Sequence, residues 1–308
     1  MKKKKMKLLI TGATGLIGQQ LVDKLFQEGH QIHYLTTRVS QIHAIPNASG
    51  FLWNPKKGTI DPNCFKEVTC IIHLAGATVS KRWTASYKKE ILDSRVQSTQ
   101  TLLAGLRKQK GTHLIRSIVS ASAIGIYPSD LSKIMTETIQ VSPQTFMQKV
   151  VDQWEKEVDE FQSEGLSICK LRIGLVLTKK GGVLGTLKIP TYFGLGAAFD
   201  SGKQGQSWIH IDDLTTVILK AAKDNWKGVY NAVAPNPVTQ TVFMKAIARA
   251  MNRPYFLPPI PAFLLKMGAG EMSDLVLDSH WVSCQKISSH GVQFQFTDIE
   301  KAIVSLLD

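Results

Sequence analysis

The chain contains no run of about 20 consecutive apolar residues, which excludes a transmembrane helix of ordinary length. It has four cysteines, Cys64, Cys70, Cys169 and Cys284. Their spacing fits neither a dense disulfide scaffold nor a paired zinc motif, so reduced, structural thiols and a cytoplasmic setting are expected. No His, Cys, Asp or Glu cluster has metal-ligand spacing, and no metal site is expected. Acidic residues are in short supply: 24 Asp and Glu face 37 Lys and Arg, a formal net charge of +13. Lys2, Lys3, Lys4 and Lys5 carry four of those charges, yet the body of the chain stays basic without them. That balance suits an anionic small-molecule ligand. It comes with no nucleic-acid recognition motif, so no nucleic-acid partner is expected. The apolar run after the lysines is too short for a signal peptide, and no lipidation signal is present, so no membrane partner is expected either.

The 308 residues, 44% hydrophobic and 20% charged, form a folded chain with room for a sizeable core. Residues 6–10 read as a buried strand that ends in Thr11-Gly12. Leu16, Ile17, Leu21, Val22, Leu25 and Phe26 then recur at helical spacing, and Gly29 stops the helix. Residues 31–36 read as the next strand, completing a βαβ unit. The alternation continues with strands at 68–74, 114–120 and 166–177 and helices at 86–106 and 146–161. Such apolar strands suit a parallel sheet covered on both faces. Beyond it, the glycine-rich stretch 181–205 reads as loops, part of it as a lid or as a structural loop. Residues 211–222 and 239–251 read as helices, 228–233 as a strand and 298–307 as a closing helix. Phe263, Leu264, Met267 and Met272 are expected to fill the core of a smaller lobe.

The sharpest motif is Thr11-Gly12-Ala13-Thr14-Gly15-Leu16-Ile17-Gly18, a strand-to-helix turn with glycines at every third position. Gly12 allows the tight turn, Gly15 admits a pyrophosphate, and Gly18 lets the helix pack closely. The helix N-terminus offers unpaired N–H groups to phosphates. Leu74, Ala75 and Gly76 end a later strand on the ligand side and leave room for a cofactor. His73 reads either as a packed histidine or as a cofactor contact. At the end of the second strand stand Thr37 and Arg38, where an NAD site usually carries an acid. A guanidinium fork suits a 2′-phosphate, so NADP(H) is the expected cofactor. The fold expected is α/β: a doubly wound, mainly parallel Rossmann sheet with a smaller C-terminal substrate lobe. Residues 1–175 would form the NADP-binding core, with 209–233 returning to it. Residues 176–208 and 234–308 would supply mainly the lobe and closing segments.

The glycine motif with His73-Leu74-Ala75-Gly76 resembles the extended short-chain dehydrogenase/reductases. Lys81-Arg82-Trp83-Thr84, Ser94-Arg95, Ser120-Ala121-Ser122-Ala123, Leu171-Arg172-Ile173-Gly174 and Trp208-Ile209-His210-Ile211-Asp212-Asp213 are similar to an atypical group within them, the epimerase family proteins. The segment Tyr230-Asn231-Ala232-Val233-Ala234-Pro235-Asn236-Pro237-Val238-Thr239 points the same way. The resemblance spans nearly the whole chain and implies a Rossmann fold and NADP binding. Ordinary members of the superfamily use a Ser and a Tyr-x-x-x-Lys pair. The resemblance places Ser122 as the serine, Lys149 as the lysine that binds cofactor ribose, and Thr145 where the tyrosine would stand. Threonine cannot be tuned to a phenol-like acid. Tyr127 resembles a substrate-side tyrosine and is a candidate substitute.

Other polar residues leave two readings each. Lys81, Arg82 and Trp83 suit an anionic, flat substrate or a lobe contact. Arg95 pairs internally or faces the cleft. Arg172, on an apolar strand, needs partners and reads as a structural ion pair. Trp154 and Glu155 read as helix packing and surface pairing. Asp212 or Asp213 is expected to cap a helix, with His210 joining the lobes or acting as acid or base. Asn231 bridges backbone groups or touches substrate. The expected function is an NADP(H)-dependent oxidoreductase or epimerase-like enzyme, with Ser122, Lys149 and Tyr127 catalytic, acting on a small polar substrate. The alternative is a non-catalytic NADP-sensing regulatory or interaction protein. Relatives in the wider superfamily pair through helices, which leaves a homo-oligomer open.

Overall fold

The structure is a computed structural model and describes residues 5–307; Lys2, Lys3 and Lys4 lie outside the described residues. The first apolar run forms β1, Lys7–Thr11, with Leu8, Leu9 and Ile10 fully buried. Side chains alternate across a strand, so Leu8 and Ile10 enter one core and Leu9 the other. Helix α1, Leu16–Gln27, buries Gly18, Leu21, Val22 and Leu25, a stripe at steps of three and four. The chain returns as β2, Gln31–Thr36, parallel to β1.

Six more strands complete the main sheet: β3 Ser49–Asn54, β4 Thr59–Ile60, β5 Cys70–His73, β6 Ser117–Ala123, β7 Ser167–Ile173 and β8 Gly228–Ala232. The order is β8-β7-β6-β5-β1-β2-β3-β4, parallel throughout except for β3 with β4. The chain runs outward from β1 through β2 and β3, then starts again on the other side of β1 with β5. The carboxyl ends of β1 and β5 therefore border the topological switch point where open α/β sheets bind ligands. The sequence pattern gives no sign of β3 and β4, because β3 fully buries only Trp53.

The longer helices that follow are α2 Ala85–Arg107, α3 Phe146–Asp159, α4 Gly182–Tyr192, α5 Ile211–Lys223, α6 Gln240–Ala250 and α7 Ala262–Ala269. Leu102, Leu103 and Leu106 of α2 and Trp154 and Val158 of α3 share one core with the sheet. Leu21, Val22 and Leu25 of α1 and Leu214, Val217 and Ile218 of α5 share the core on the other face. A further core joins Leu184 and Leu187 of α4, Phe243 and Ile247 of α6, Trp208, and Ile303 of the closing helix Ile299–Leu307.

Three expectations need correction. The strand expected over 166–177 breaks at Gly174, where an added Cβ would sit 2.3 Å from the Ser207 carbonyl oxygen. Its end, Leu175–Leu177, pairs instead with Trp208–His210. The expected loop 181–205 contains α4, which buries Leu184, Leu187 and Thr191 at helical spacing despite its glycines. Tertiary burial overrides their poor helix propensity. Finally, α7 buries none of its residues: Phe263 is 62%, Leu264 47% and Met267 76% exposed. The lobe core is closed by α4, α6 and the closing helix, leaving α7 outside it. The four cysteines are buried and unpaired. Among the described residues, no helix is long and apolar enough to cross a membrane.

Candidate nucleotide cleft

The turn after β1 is shaped by space. Gly12 adopts φ +73°, and a Cβ there would lie 3.0 Å from the Leu74 carbonyl. Gly18 is packed still harder, with a hypothetical Cβ 2.2 Å from the Gly12 oxygen. These two positions draw the turn, the start of α1 and the exit of β5 together. Gly15 is the exposed N-cap of α1, with no side-chain cap on the helix and no acid in its first turn. The leading N–H groups and the positive end of the helix dipole are left for an anion. Thr14 is exposed beside them; Leu16 and Ile17 are half-buried. The start of α4 overhangs this point, since a Cβ at Gly182 would meet Leu16 at 3.4 Å.

The floor of the cleft is a hydrogen-bonded clamp. Thr11 Oγ1 accepts the N–H groups of Leu74 and Ala75, both at 3.1 Å, and lies 2.8 Å from His73 Nδ1. With two N–H donors already on the oxygen, its hydroxyl hydrogen goes to Nδ1, which assigns His73 as the Nε2–H tautomer. Nε2 then reaches Thr99 Oγ1 at 3.1 Å. Burial pushes the His73 imidazole down to about 4, so it is neutral at pH 7. His73 is thus a packed residue that aligns the ends of β1 and β5. Thr37 and Arg38 follow β2 and are exposed, and no carboxylate among the described residues pairs with Arg38.

The carboxyl ends of β6, β7 and β8 are closed by contrast. Ser122, Arg172 and Asn231 pair in one row across the three strands and so share a face. Arg172 forms a fork on Glu155 of α3, with Nε to Oε1 and Nη2 to Oε2 both at 2.9 Å. Ser122 Oγ donates to the same Oε1 at 2.5 Å. Arg172 Nη1 donates to the Tyr127 hydroxyl at 3.0 Å, and that hydroxyl donates to Asn231 Oδ1 at 2.8 Å. Burial alone would raise the Glu155 carboxyl. The hydrogen bonds and charge of Arg172, with help from Ser122 and Lys170, hold it below its usual range. Burial alone would lower Arg172, and Glu155 raises it instead. Burial raises the Tyr127 phenol against the pull of Arg172.

The sequence pattern of the NAD dependent epimerase/dehydratase family matches residues 8–232. The chain belongs to that family. A second pattern, a domain of unknown function (DUF1731), matches residues 260–306. An epimerase family protein of Staphylococcus haemolyticus is 37% identical over 97% of this chain and 98% of its own. One from Staphylococcus aureus strain MRSA252 is 35% identical over 97% of this chain and 98% of its own. Among solved structures, the human epimerase family protein SDR39U1, crystallised with NADPH, superposes with a TM-score of 0.86 at 26% identity. It covers 98% of this chain and 99% of that one. A nucleoside-diphosphate sugar epimerase from Corynebacterium glutamicum gives 0.79 at 27% identity, covering 99% of this chain and 58% of that one. The resemblance to the atypical short-chain dehydrogenase/reductases and the doubly wound fold both hold.

Two of the three residues expected to be catalytic have their hydroxyls engaged inside the protein. Ser122 and Tyr127 are buried, their hydroxyls taken by Glu155 and by Asn231 with Arg172. Lys149 is exposed, while Met147 and Val151 of the same helix pack against the core that holds Tyr127. Thr145 is the N-cap of α3: its hydroxyl accepts from Gln148 N–H in a capping box. The surface pairing expected for Glu155 is corrected, since it is 8% exposed and bound to Arg172. Arg172 is the structural ion pair expected of it, and Asn231 bridges Tyr127 and the Ser283 carbonyl. The cap of α5 is His210, not Asp212 or Asp213. Asp213 instead accepts the N–H groups of Gln295 and Phe296, holding the chain before the closing helix. Trp83 packs edge-on against Phe146 at 5.1 Å, and Lys88 of α2 pairs with Glu271, just beyond α7. Thr11 stands at the head of the quoted motif, yet its role as a clamp depends on β5, about 60 residues along the chain.

Proposed function

We propose that the chain binds NADP(H) across the carboxyl ends of β1, β2 and β5 and acts as an oxidoreductase or epimerase-like enzyme on a small anionic substrate. The observation that carries the cofactor choice is the end of β2: an exposed Arg38 without a carboxylate partner among the described residues, and no acid there to receive a ribose 2′-hydroxyl. The residues present fit a dinucleotide. Gly12, Gly15 and Gly18 leave the turn bare, and the uncapped start of α1 faces it. The NADPH bound by the human relative supports the same reading. When bound, a nicotinamide supplies or accepts hydride. The chain's own residues would do the rest: Arg38 and Thr37 hold the 2′-phosphate, the α1 N-terminus holds the pyrophosphate, and Thr11 fixes the Leu74-Ala75 wall.

A second reading, binding of the cofactor without turnover, is favoured by one observation. The hydroxyls of Ser122 and Tyr127 are spent inside a buried network. Titration of nucleotide-free protein with NADPH, NADP, NADH and NAD, repeated with Arg38→Ala, tests the binding site. Preference for the phosphorylated pair, lost in the variant, is the expected result. A preference for NADH and NAD would overturn the Arg38 assignment. Hydride transfer from labelled NADPH across a panel of small carboxylates and phosphate esters separates turnover from binding alone.

A further inference from the structure

The protein holds two arginines beneath the sheet's carboxyl edge, and they are treated differently. Arg172 has a carboxylate fork. Arg95, on the inward side of α2, has none among the described residues. Its Nη1 donates to the carbonyls of Ile91 at 2.8 Å and Ala77 at 3.2 Å, and its guanidinium lies 5.1 Å from the Trp154 ring. Nε and Nη2 have no acceptor among the described residues. The ionisable neighbour that acts on it is the Tyr87 phenol, not a carboxylate, and burial pulls the guanidinium down to about 10. A half-buried guanidinium with unused donors and no counter-ion is costly unless something else supplies the charge.

Gly76 lies against this side chain. That residue is exposed, and a Cβ on it would sit 3.3 Å from Arg95 Cζ. Gly76 thus leaves, on its side of the cation, room that a side chain would take. The loop itself is fixed, since Ser94 Oγ accepts the Ala77 N–H at 2.9 Å. Exposed Lys81 and Arg82, neither paired with a carboxylate among the described residues, stand on the segment that follows. They add to a local positive field that draws anions.

We infer that Arg95 is an oxyanion-binding residue of the cleft, taking a carboxylate or phosphate group of a ligand that lies beside Gly76. Placing that ligand in the cleft rests on the nucleotide reading above, and the inference deepens it by naming the substrate class. Arg95 offers Nε and Nη2, its one free edge, as a fork, which matches the geometry of either oxyanion. A phosphate of the cofactor and an anionic group of the substrate share this chemistry.

Calorimetric titration separates them. Inorganic phosphate and malonate are titrated into the nucleotide-free protein and into its NADPH complex, for the wild type, Arg95→Met, Arg95→Lys and Gly76→Ala. The expected result is oxyanion binding to the NADPH complex, weakened at least tenfold in Arg95→Met and less in Arg95→Lys, with NADPH affinity unchanged. Gly76→Ala puts a methyl group 3.3 Å from Arg95 Cζ, so the guanidinium must shift to make room, and oxyanion binding should weaken. If NADPH affinity itself falls tenfold in Arg95→Met and the complex no longer takes an oxyanion, the bound group is the cofactor's and the substrate assignment is overturned. Equal phosphate and malonate binding by wild type and Arg95→Met, or none by either, overturns the site altogether. A folded wild type that binds phosphate through Arg95 but no dinucleotide overturns the cofactor reading and leaves the oxyanion site standing.

Discussion

The two halves of the sheet's carboxyl edge are built on opposite plans. Around β1, β2 and β5 the chain leaves polar groups unanswered: the uncapped start of α1, exposed Thr14 and Arg38, and a turn stripped to glycine. Around β6, β7 and β8 it answers them internally, with Ser122, Glu155, Arg172, Tyr127 and Asn231 bonded to one another. Buried polar groups are stable only when satisfied, so the second plan spends its hydroxyls on structure. The first plan reserves its donors for a ligand. A hydroxyl near the cleft is therefore not a catalytic hydroxyl until its partners are known.

The largest expected effect comes from breaking the closed half. Glu155→Gln leaves Arg172 buried without its counter-charge, and denaturant unfolding should show a loss of about 3 kcal/mol or more. A change below about 1 kcal/mol would mean that water or a rearranged partner replaces the carboxylate. Acid comes next. His73 is held at about 4 in the fold against the usual 6.5, so the unfolded chain takes up a proton that the native chain refuses. Stability is full above pH 6.5 and falls as the pH drops toward 4, by on the order of 3 kcal/mol from this residue. Buried His280, also pushed down to about 4, acts in the same direction. Unfolding free energies flat between pH 7 and pH 4.5 would contradict both.

Smaller effects sharpen the open half. Arg38→Ala should cost NADPH roughly 1.5–3 kcal/mol of binding free energy, the range for a charge-assisted hydrogen bond, with NADH barely affected. Equal losses for both nucleotides would place Arg38 away from the 2′-phosphate. Thr145→Ala should lower stability by about 1 kcal/mol through loss of the α3 cap while nucleotide affinity stays unchanged. A loss of cofactor affinity without a loss of stability would return Thr145 to the site.

Much of the nucleotide half is legible along the chain because its parts are local. Strand, glycine turn, helix and second strand fall within residues 7–36, and each follows from short-range periodicity and backbone space. Arg172 is legible too, since a charge on an apolar strand demands a partner. Its partner is not: helical spacing puts Glu155 on the buried face, between Val151 and Val158, but does not say which strand residue it meets. Thr145 matches a catalytic spacing and a capping box equally well; only the start of α3 decides between them. The apolar run of α7 looks like core because hydrophobicity records no neighbours.

The sequence by itself determined the βαβ alternation, the bare turn before α1 and the missing acid after β2. Periodicity, glycine geometry and charge act over a few residues and need no context. Only the tertiary structure decided which polar groups are spent and which are free. Thr11 meets Leu74, Glu155 meets Arg172, and Arg95 meets no carboxylate among the described residues, because strands and helices far apart in the chain are brought to one edge of the sheet. Hydrogen bonds and ion pairs act over a few ångströms, so which groups they join is set by packing and not by spacing along the chain.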